Sequence, residues 1–262
     1  MIRKCCVEDI EYLKGIIKKD IFQNVYLYID TSTYGFENQD IQTWIISDSE
    51  ADTVIVYKYY NSLQIFGISD PSDENIREIC FLIEKNDSQM LSGSVELIRK
   101  ISCLLSEWKK TEGIIMKAGQ EAAKVDSEVC KASVDECYEI ASLICADEGI
   151  GGHYSVALLE EQLQDRMQNW HCQNFVLKEN GTIVAHMGTY ADVEGLAVLG
   201  GLVTAPAARG QGYGKRVLQS LTAQVIKEQK VPVLYCYEQN VMDWYRHLGW
   251  TQVYKCAKLE RK

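Results

Sequence analysis

Apolar positions fall into short runs whose spacing divides the chain into two halves with a similar order of elements. In the second half, SVDECYEIASLICADEG opens with Ser133 and carries Glu136 three residues on, a capping box. Val134, Cys137, Tyr138, Ala141 and Cys145 then recur at helical spacing. A second helix, from about Ser155, sets Leu159, Leu163, Met167 and Trp170 along one stripe. NFVLKENGTIVAHMGTY predicts two strands about a Glu-Asn-Gly turn, and LAVLGGLVT a third beyond Glu194 and Gly195. After a glycine loop, Val217, Leu218, Leu221, Val225 and Ile226 mark a helix face. VPVLYCY predicts a buried strand, NVMDWYRHLG a helix closed by Gly249, and WTQVYKCAKLE a last strand. The order is two helices, three strands, helix, strand, helix, strand.

The first half echoes the later part of this order. IQTWIIS, DTVIVYKYY and SLQIFGIS read as three strands. A helix with Ile76, Ile79, Cys80 and Ile83 on one face follows, then the short QMLSG. Leu97, Ile98, Ile101, Leu104 and Leu105 mark a further helix. The border falls near Lys109 to Lys124, without a proline or glycine-serine tract that would make a flexible linker. These patterns predict an α/β protein with two domains, residues 1–124 and 125–262.

Composition narrows the function more than the fold. A hydrophobic share of 47% supports ordinary cores, and a net charge of −10 argues against binding nucleic acid through a general basic surface. The charge suits cationic small substrates. No apolar run reaches the roughly 18 to 20 residues of a membrane span, and MIRKCCVEDIEYLKG lacks the apolar core of a signal peptide. A cytoplasmic protein is expected, without a membrane partner. Of ten cysteines, Cys5 and Cys6 are adjacent, Cys130 and Cys137 stand seven apart, and no CxxC occurs. Reduced thiols fit this pattern better than a disulfide framework. His153, His171, His186 and His247 form no HxH or HExxH set, so no metal site is expected.

The candidate chemistry lies in VTAPAARGQGYGKR, between a predicted strand and helix. A nucleotide P-loop, GxxxxGK[ST], fails twice: Arg216 follows Lys215, and Arg209 stands where the first glycine belongs. A dinucleotide fingerprint fails because Gly210, Gly212 and Gly214 spell GxGxG. Arg209-Gly210-Gln211-Gly212-Tyr213-Gly214 does match [QR]xxGx[GA]. Glycines let an anion approach main-chain N–H groups, and a helix start favours negative charge by about 0.3–1 kcal/mol. Arg209 and Lys215 add positive charge nearby.

At GGLVTAPAARGQGYGKRVL the carboxy-terminal half resembles the GNAT superfamily of acetyl-CoA-dependent N-acetyltransferases. The resemblance covers about Val125 to Lys262. It implies a mixed, mostly antiparallel sheet flanked by helices, with the first half a degenerate GNAT-like domain in tandem. It implies that the loop from Arg209 to Lys215 (Gly210, Gln211, Gly212, Tyr213 and Gly214 between them) holds the coenzyme pyrophosphate. It also implies that main-chain groups of Leu202, Val203 and Thr204 pair with pantetheine as an added strand, one of them polarising the thioester carbonyl.

LYCYEQNVMDWYRHLGW resembles a second segment of that family, with Asn240 and Tyr245 at its Asn and Tyr and Trp250 in place of Phe. The resemblance implies that Asn240 lies at the coenzyme and that Tyr245 protonates the leaving thiolate. A phenol of pKa about 10 suits a thiolate of about 8.5 to 10. The base for the amine stays open among Glu194, Glu238 and His186. In the first half, Asp70, Asp73 and Glu74 stand where the glycine loop belongs and would repel a pyrophosphate. That half is expected to bind no coenzyme and to wall the acceptor site or support assembly.

Acetyl transfer to a primary amine by direct attack in a ternary complex is the leading expectation, since no cysteine stands in a nucleophile motif. A coenzyme-binding regulatory or scaffold protein, and a nucleotide-binding module, are the alternatives. Acetyl-CoA is the expected cosubstrate. The charge favours a small cationic acceptor, and the resemblance leaves a homodimer open.

Overall fold

A computed structural model describes residues 2–28, 35–36, 39–47, 53–67, 71–151, 155–169, 171–193 and 195–262. Asp70, His153, Trp170 and Glu194 lie outside the described residues. The chain divides into two compact units. The first holds Met1–Ile115 with Cys236–Met242 and Gln252–Lys262, and the second holds Met116–Tyr235 with Asp243–Thr251.

The first unit contains β1 (Ile2–Lys4), α1 (Ile10–Ile17), β2 (Ile41–Ser47), β3 (Thr53–Tyr59) and β4 (Ser62–Gly67). Then come α2 (Asp73–Lys85), β5 (Met90–Ser94), α3 (Val95–Ser102) and β6 (Lys109–Ala118). The division between units falls inside β6, after Ile115. Strands β1 to β4 are antiparallel neighbours, β4 and β5 run parallel, and the chain's last strand, β12 (Trp250–Glu260), pairs antiparallel with β5. Residues 1–110 alone therefore lack a strand of this unit.

The apolar runs of β2 and β3 are continuous because both faces are covered. Trp44, Ile46, Val54 and Val56 join a core with α2, α3 and Leu259, while Ile45, Ile55 and Tyr57 join another with Leu13, Ile16 and Ile17 of α1. The last helix ends earlier than its apolar pattern predicts: α3 stops at Ser102, and Leu104 is exposed. The Ser102 hydroxyl and Cys103 thiol both donate to the Arg99 carbonyl there.

The second unit contains β7 (Val129–Lys131), α4 (Cys137–Cys145), α5 (Val156–Asn169), β8 (Asn174–Glu179), β9 (Thr182–Val193) and β10 (Leu196–Thr204). It continues with α6 (Tyr213–Lys227), β11 (Val231–Cys236) and α7 (Gln239–His247); the last residue of β11 and the first four of α7 belong to the first unit. Its strand order is β11-β10-β9-β8-β7. The capping box forms, with the Ser133 N–H donating to Glu136 Oε2 at 2.7 Å. The buried stripe of α4 is Cys137, Ile140, Ala141 and Ile144; Tyr138, expected inside, is exposed. At the β8–β9 turn Asn180 and Gly181 take φ of 50° and 83°, the left-handed pair that a two-residue hairpin needs.

Cys137, Ile140, Leu159 and Leu163 cover Val176, Ile183 and Val203 of the sheet, and α6 buries Val217, Leu218, Leu221 and Val225. Leu221 is fully buried. Leu221→Ala is expected to cost about 2–5 kcal/mol, read as a lower urea midpoint at unchanged slope.

Candidate active site

The site begins where two parallel strands part. β10 pairs with β11 at Leu196↔Val231, Ala197↔Pro232 and Val198↔Val233. Beyond Val198 no further pairing joins them among the described residues, although β10 runs on to Thr204 and β11 to Cys236. On its other side β10 stays paired with β9 as far as Thr204↔Ala185. The register shifts between Gly200↔Gly188 and Val203↔His186, placing one extra residue on β10. Gly201, at φ +64°, sits in this bulge.

Alternation along the strand then decides which main-chain groups are offered. The Ala205 N–H donates to the Val184 carbonyl at 2.8 Å. Two residues earlier, Val203 faces β9 in the same way, so the N–H and C=O groups of Leu202 and Thr204 face the edge that β11 has left. The Thr204 carbonyl accepts from Arg209 Nε at 3.2 Å.

The chain next makes a single turn at Pro206–Ala208 and enters the glycine loop. Gly210 and Gly212 have φ of +81° and +80°, and a Cβ on either would meet nothing within 4 Å. A Cβ on Gly214 would lie 3.0 Å from Thr204 Oγ1, so this glycine lets α6 approach the end of β10. Helix α6 starts without a side-chain cap, whereas α2 and α3 are capped by the Ser72 and Ser94 hydroxyls. Its first helical bond runs from the Arg216 N–H to the Gly212 carbonyl. The N–H groups of Tyr213, Gly214 and Lys215 precede that bond and are available to an anion.

The side chains of the loop are mostly tied outward. Arg209 pairs with Asp147 at 2.9 Å, and Asp147 also accepts from the N–H groups of Gly149 and Ile150. The Tyr213 hydroxyl donates to Glu179 and lies 2.9 Å from the Gln211 side-chain amide. Arg216 is held by Asp126 and Glu128. Lys215 is exposed and makes no ion pair among the described residues. The main chain thus supplies the donors, with Lys215 as the cation left near them. The Asp147–Arg209 pair spans 62 residues and has no signature in the sequence.

Tyr245 lies in α7 and is 6% exposed, with its ring 5.1 Å from that of Trp244 and 5.6 Å from that of Trp250. Gly249, at φ +88°, closes the helix. Leu202, Val203, Thr204, the glycine loop and Tyr245 all fall in the second unit; Glu238 and Asn240, both exposed, fall in the first. The Glu238 carbonyl accepts from the Met242 N–H at 2.9 Å. Glu194 lies outside the described residues.

His186, considered for the base, is fully buried, with Nδ1 2.9 Å from the Gly201 carbonyl and Nε2 2.9 Å from Asn174 Oδ1. Burial pushes it down to about 4, and neither nitrogen is open to an incoming amine. The structure therefore removes His186 from the candidates for the base. Among the described residues no three His, Cys, Asp or Glu side chains converge as a metal site, and no helix is long and apolar enough to cross a membrane.

Residues 136–250 match the model of the acetyltransferase (GNAT) family. The match runs from the end of the capping box through the parted strands, the glycine loop and Tyr245, and this part of the chain is a GNAT domain. Three solved structures are similar over nearly the whole of both chains. A Drosophila protein is 14% identical, covers 100% of this chain and 98% of its own, and has a TM-score of 0.72. A GNAT-family acetyltransferase from Colwellia psychrerythraea is 14% identical over 100% of both chains, with a TM-score of 0.59. A tandem GNAT protein from the clavulanic acid biosynthesis pathway is 9% identical over 100% and 98%, with a TM-score of 0.62. At these identities the likeness is one of fold, and it makes this fold a tandem GNAT-like one. None of the curated proteins compared with the sequence matches it.

Proposed function

We propose that this chain, whose residues 136–250 are a GNAT domain, transfers an acetyl group from acetyl-CoA to a primary amine of a small cationic molecule or peptide. The observation that carries the reading is an uncapped, glycine-opened helix start next to a strand edge with unpaired main-chain groups. The N–H groups from Gly210 to Lys215 receive the pyrophosphate, with Lys215 adding positive charge. Leu202 and Thr204 bond the pantetheine amides along the free edge, and Val203 between them keeps the strand on β9.

Held there, the thioester is open to direct attack by the amine nitrogen in a ternary complex. As the carbon–sulfur bond breaks, Tyr245 delivers its phenolic proton to the leaving sulfur. A carboxylate, Glu238 or Glu194, takes the proton that the ammonium must lose first.

Among its described residues, the first unit shows neither part of the cradle. There the Ser72 hydroxyl fills the cap of α2, with Asp73 and Glu74 in the first turn. Strands β4 and β5 stay paired to Ile65↔Gly93, where a Cβ on Gly93 would lie 2.7 Å from the Ile65 carbonyl. We assign the coenzyme to the second unit alone.

One observation favours a second reading, a coenzyme-binding protein without turnover: Tyr245 is buried against two tryptophans. Free-thiol release from acetyl-CoA, measured against a panel of amines, separates the two. The enzyme releases thiol at a rate set by the amine supplied. Stabilisation by acetyl-CoA with no release above hydrolysis for any amine would replace transfer with binding.

A further inference from the structure

The bulge of β10 leaves one carbonyl out of the strand ladder. Gly201 takes φ +64°, which favours glycine, and a Cβ there would stand 2.6 Å from the Tyr190 hydroxyl and 3.3 Å from His186 Cε1, so a side chain would have to displace the Tyr190 ring. Its carbonyl is received by His186 Nδ1 at 2.9 Å. The same residue pairs through its main chain with Val203. His186 therefore grips β10 on both sides of Leu202, by its ring at Gly201 and by its backbone at Val203.

The far side of the ring is fixed as well. Nε2 lies 2.9 Å from the Asn174 side-chain amide on β8, and Gly188 makes room for that amide, since a Cβ on Gly188 would lie 2.4 Å from Asn174 Oδ1. A ring that donates from Nδ1 and carries no charge must accept at Nε2. Half a turn of the Asn174 amide brings its –NH2 end there. Full burial favours the neutral ring, and a buried bulge carbonyl left without a donor is unfavourable.

We infer that His186 is a positioning residue: its Nδ1–H fixes the Gly201 carbonyl, and with it the direction of the Leu202 and Thr204 groups that receive the coenzyme. The inference rests on the coenzyme site proposed above.

Its test uses the full chain. His186→Leu removes the donor, and His186→Asn keeps a side-chain N–H near the place of Nδ1. The Leu variant is expected to raise the KM for acetyl-CoA about tenfold or more while the amine KM stays within about twofold. The Asn variant is expected to recover coenzyme affinity to within about threefold of wild type. A merely structural histidine would lower thermal stability without that split and without that rescue. Because the Leu variant can fail to fold, the wild-type ring is also read by nitrogen-15 NMR. A neutral Nδ1–H tautomer is expected, and an Nε2–H tautomer or an imidazolium would overturn the assignment. Equal acetyl-CoA binding by wild type and His186→Leu would overturn the lock and leave the proposed function standing. Wild type that binds no acetyl-CoA would remove the coenzyme site, and this inference with it.

Discussion

Replacing Gly212 by Asp is expected to abolish acetyl-CoA binding while leaving the melting temperature within a few degrees of wild type. The backbone there is at φ +80°, a conformation that costs an L-residue about 1–2 kcal/mol, with Asp among the most tolerant. No neighbour stands within 4 Å to clash with the new Cβ. A carboxylate at an uncapped helix start gains about 0.3–1 kcal/mol from the helix dipole, which offsets much of the strain. The same carboxylate faces the N–H groups of Tyr213, Gly214 and Lys215 and brings negative charge where the pyrophosphate would sit. Loss of two charge-assisted bonds, at about 1.5–3 kcal/mol each, lowers affinity by more than about a hundredfold. Calorimetric titration with acetyl-CoA beside a thermal melt reads both effects. Gly212→Ala, with the strain and without the charge, should fall between. Wild-type affinity in the Asp variant would show that the anion lies elsewhere.

The loop was legible because its conformation demands particular residues. Left-handed φ values at Gly210 and Gly212 leave a mark in the sequence that few side chains could replace. Asn180-Gly181 announced the hairpin for the same reason. The interior strands were equally plain, since burial on both faces forces unbroken apolar runs such as Val54–Tyr57. Four elements escaped notice: α1, the ten-residue β6, whose polar start Lys109–Glu112 reads as a border between domains, and the short β1 and β7. β1 and β7, three residues each, bury little and are too short to show a period. The pairing of β12 with β5 joins residues far apart in the chain, and no local pattern encodes it.

Within the site, the sequence grouped residues by adjacency and the fold sorted them by burial. Glu238, Asn240 and Tyr245 stand within one motif, yet the first two belong to one compact unit and the third to the other. His186 looked like a candidate base because an isolated histidine carries no sign of its surroundings. Only the three-dimensional contacts with Gly201 and Asn174 show that its nitrogens are occupied. The doubled glycine in LAVLGGLVT did hint at a bulge, since glycine inside a strand often marks one, but not which carbonyl it would turn inward.

Tyr245→Phe is expected to lower kcat by about a hundredfold or more while leaving acetyl-CoA affinity and stability nearly unchanged, in line with the factors of about 10²–10⁴ that a positioned acid contributes. The ring contacts with Trp244 and Trp250 survive the substitution because they involve the aromatic faces and edges and not the hydroxyl. Folding should therefore change by about 1 kcal/mol or less, the scale of one hydrogen bond. A proton donor to sulfur acts only as the carbon–sulfur bond breaks, so its loss appears in turnover and not in binding. Free-thiol release at saturating acetyl-CoA and amine, compared with coenzyme affinity from titration, separates the two. An intact affinity with slow release identifies the hydroxyl as the acid. Undiminished release would make Tyr245 a packing residue of α7, with water or the acceptor's own proton serving the sulfur. A parallel loss of affinity and rate would instead mean that the hydroxyl holds the coenzyme before it reacts, which moves its role from chemistry to binding.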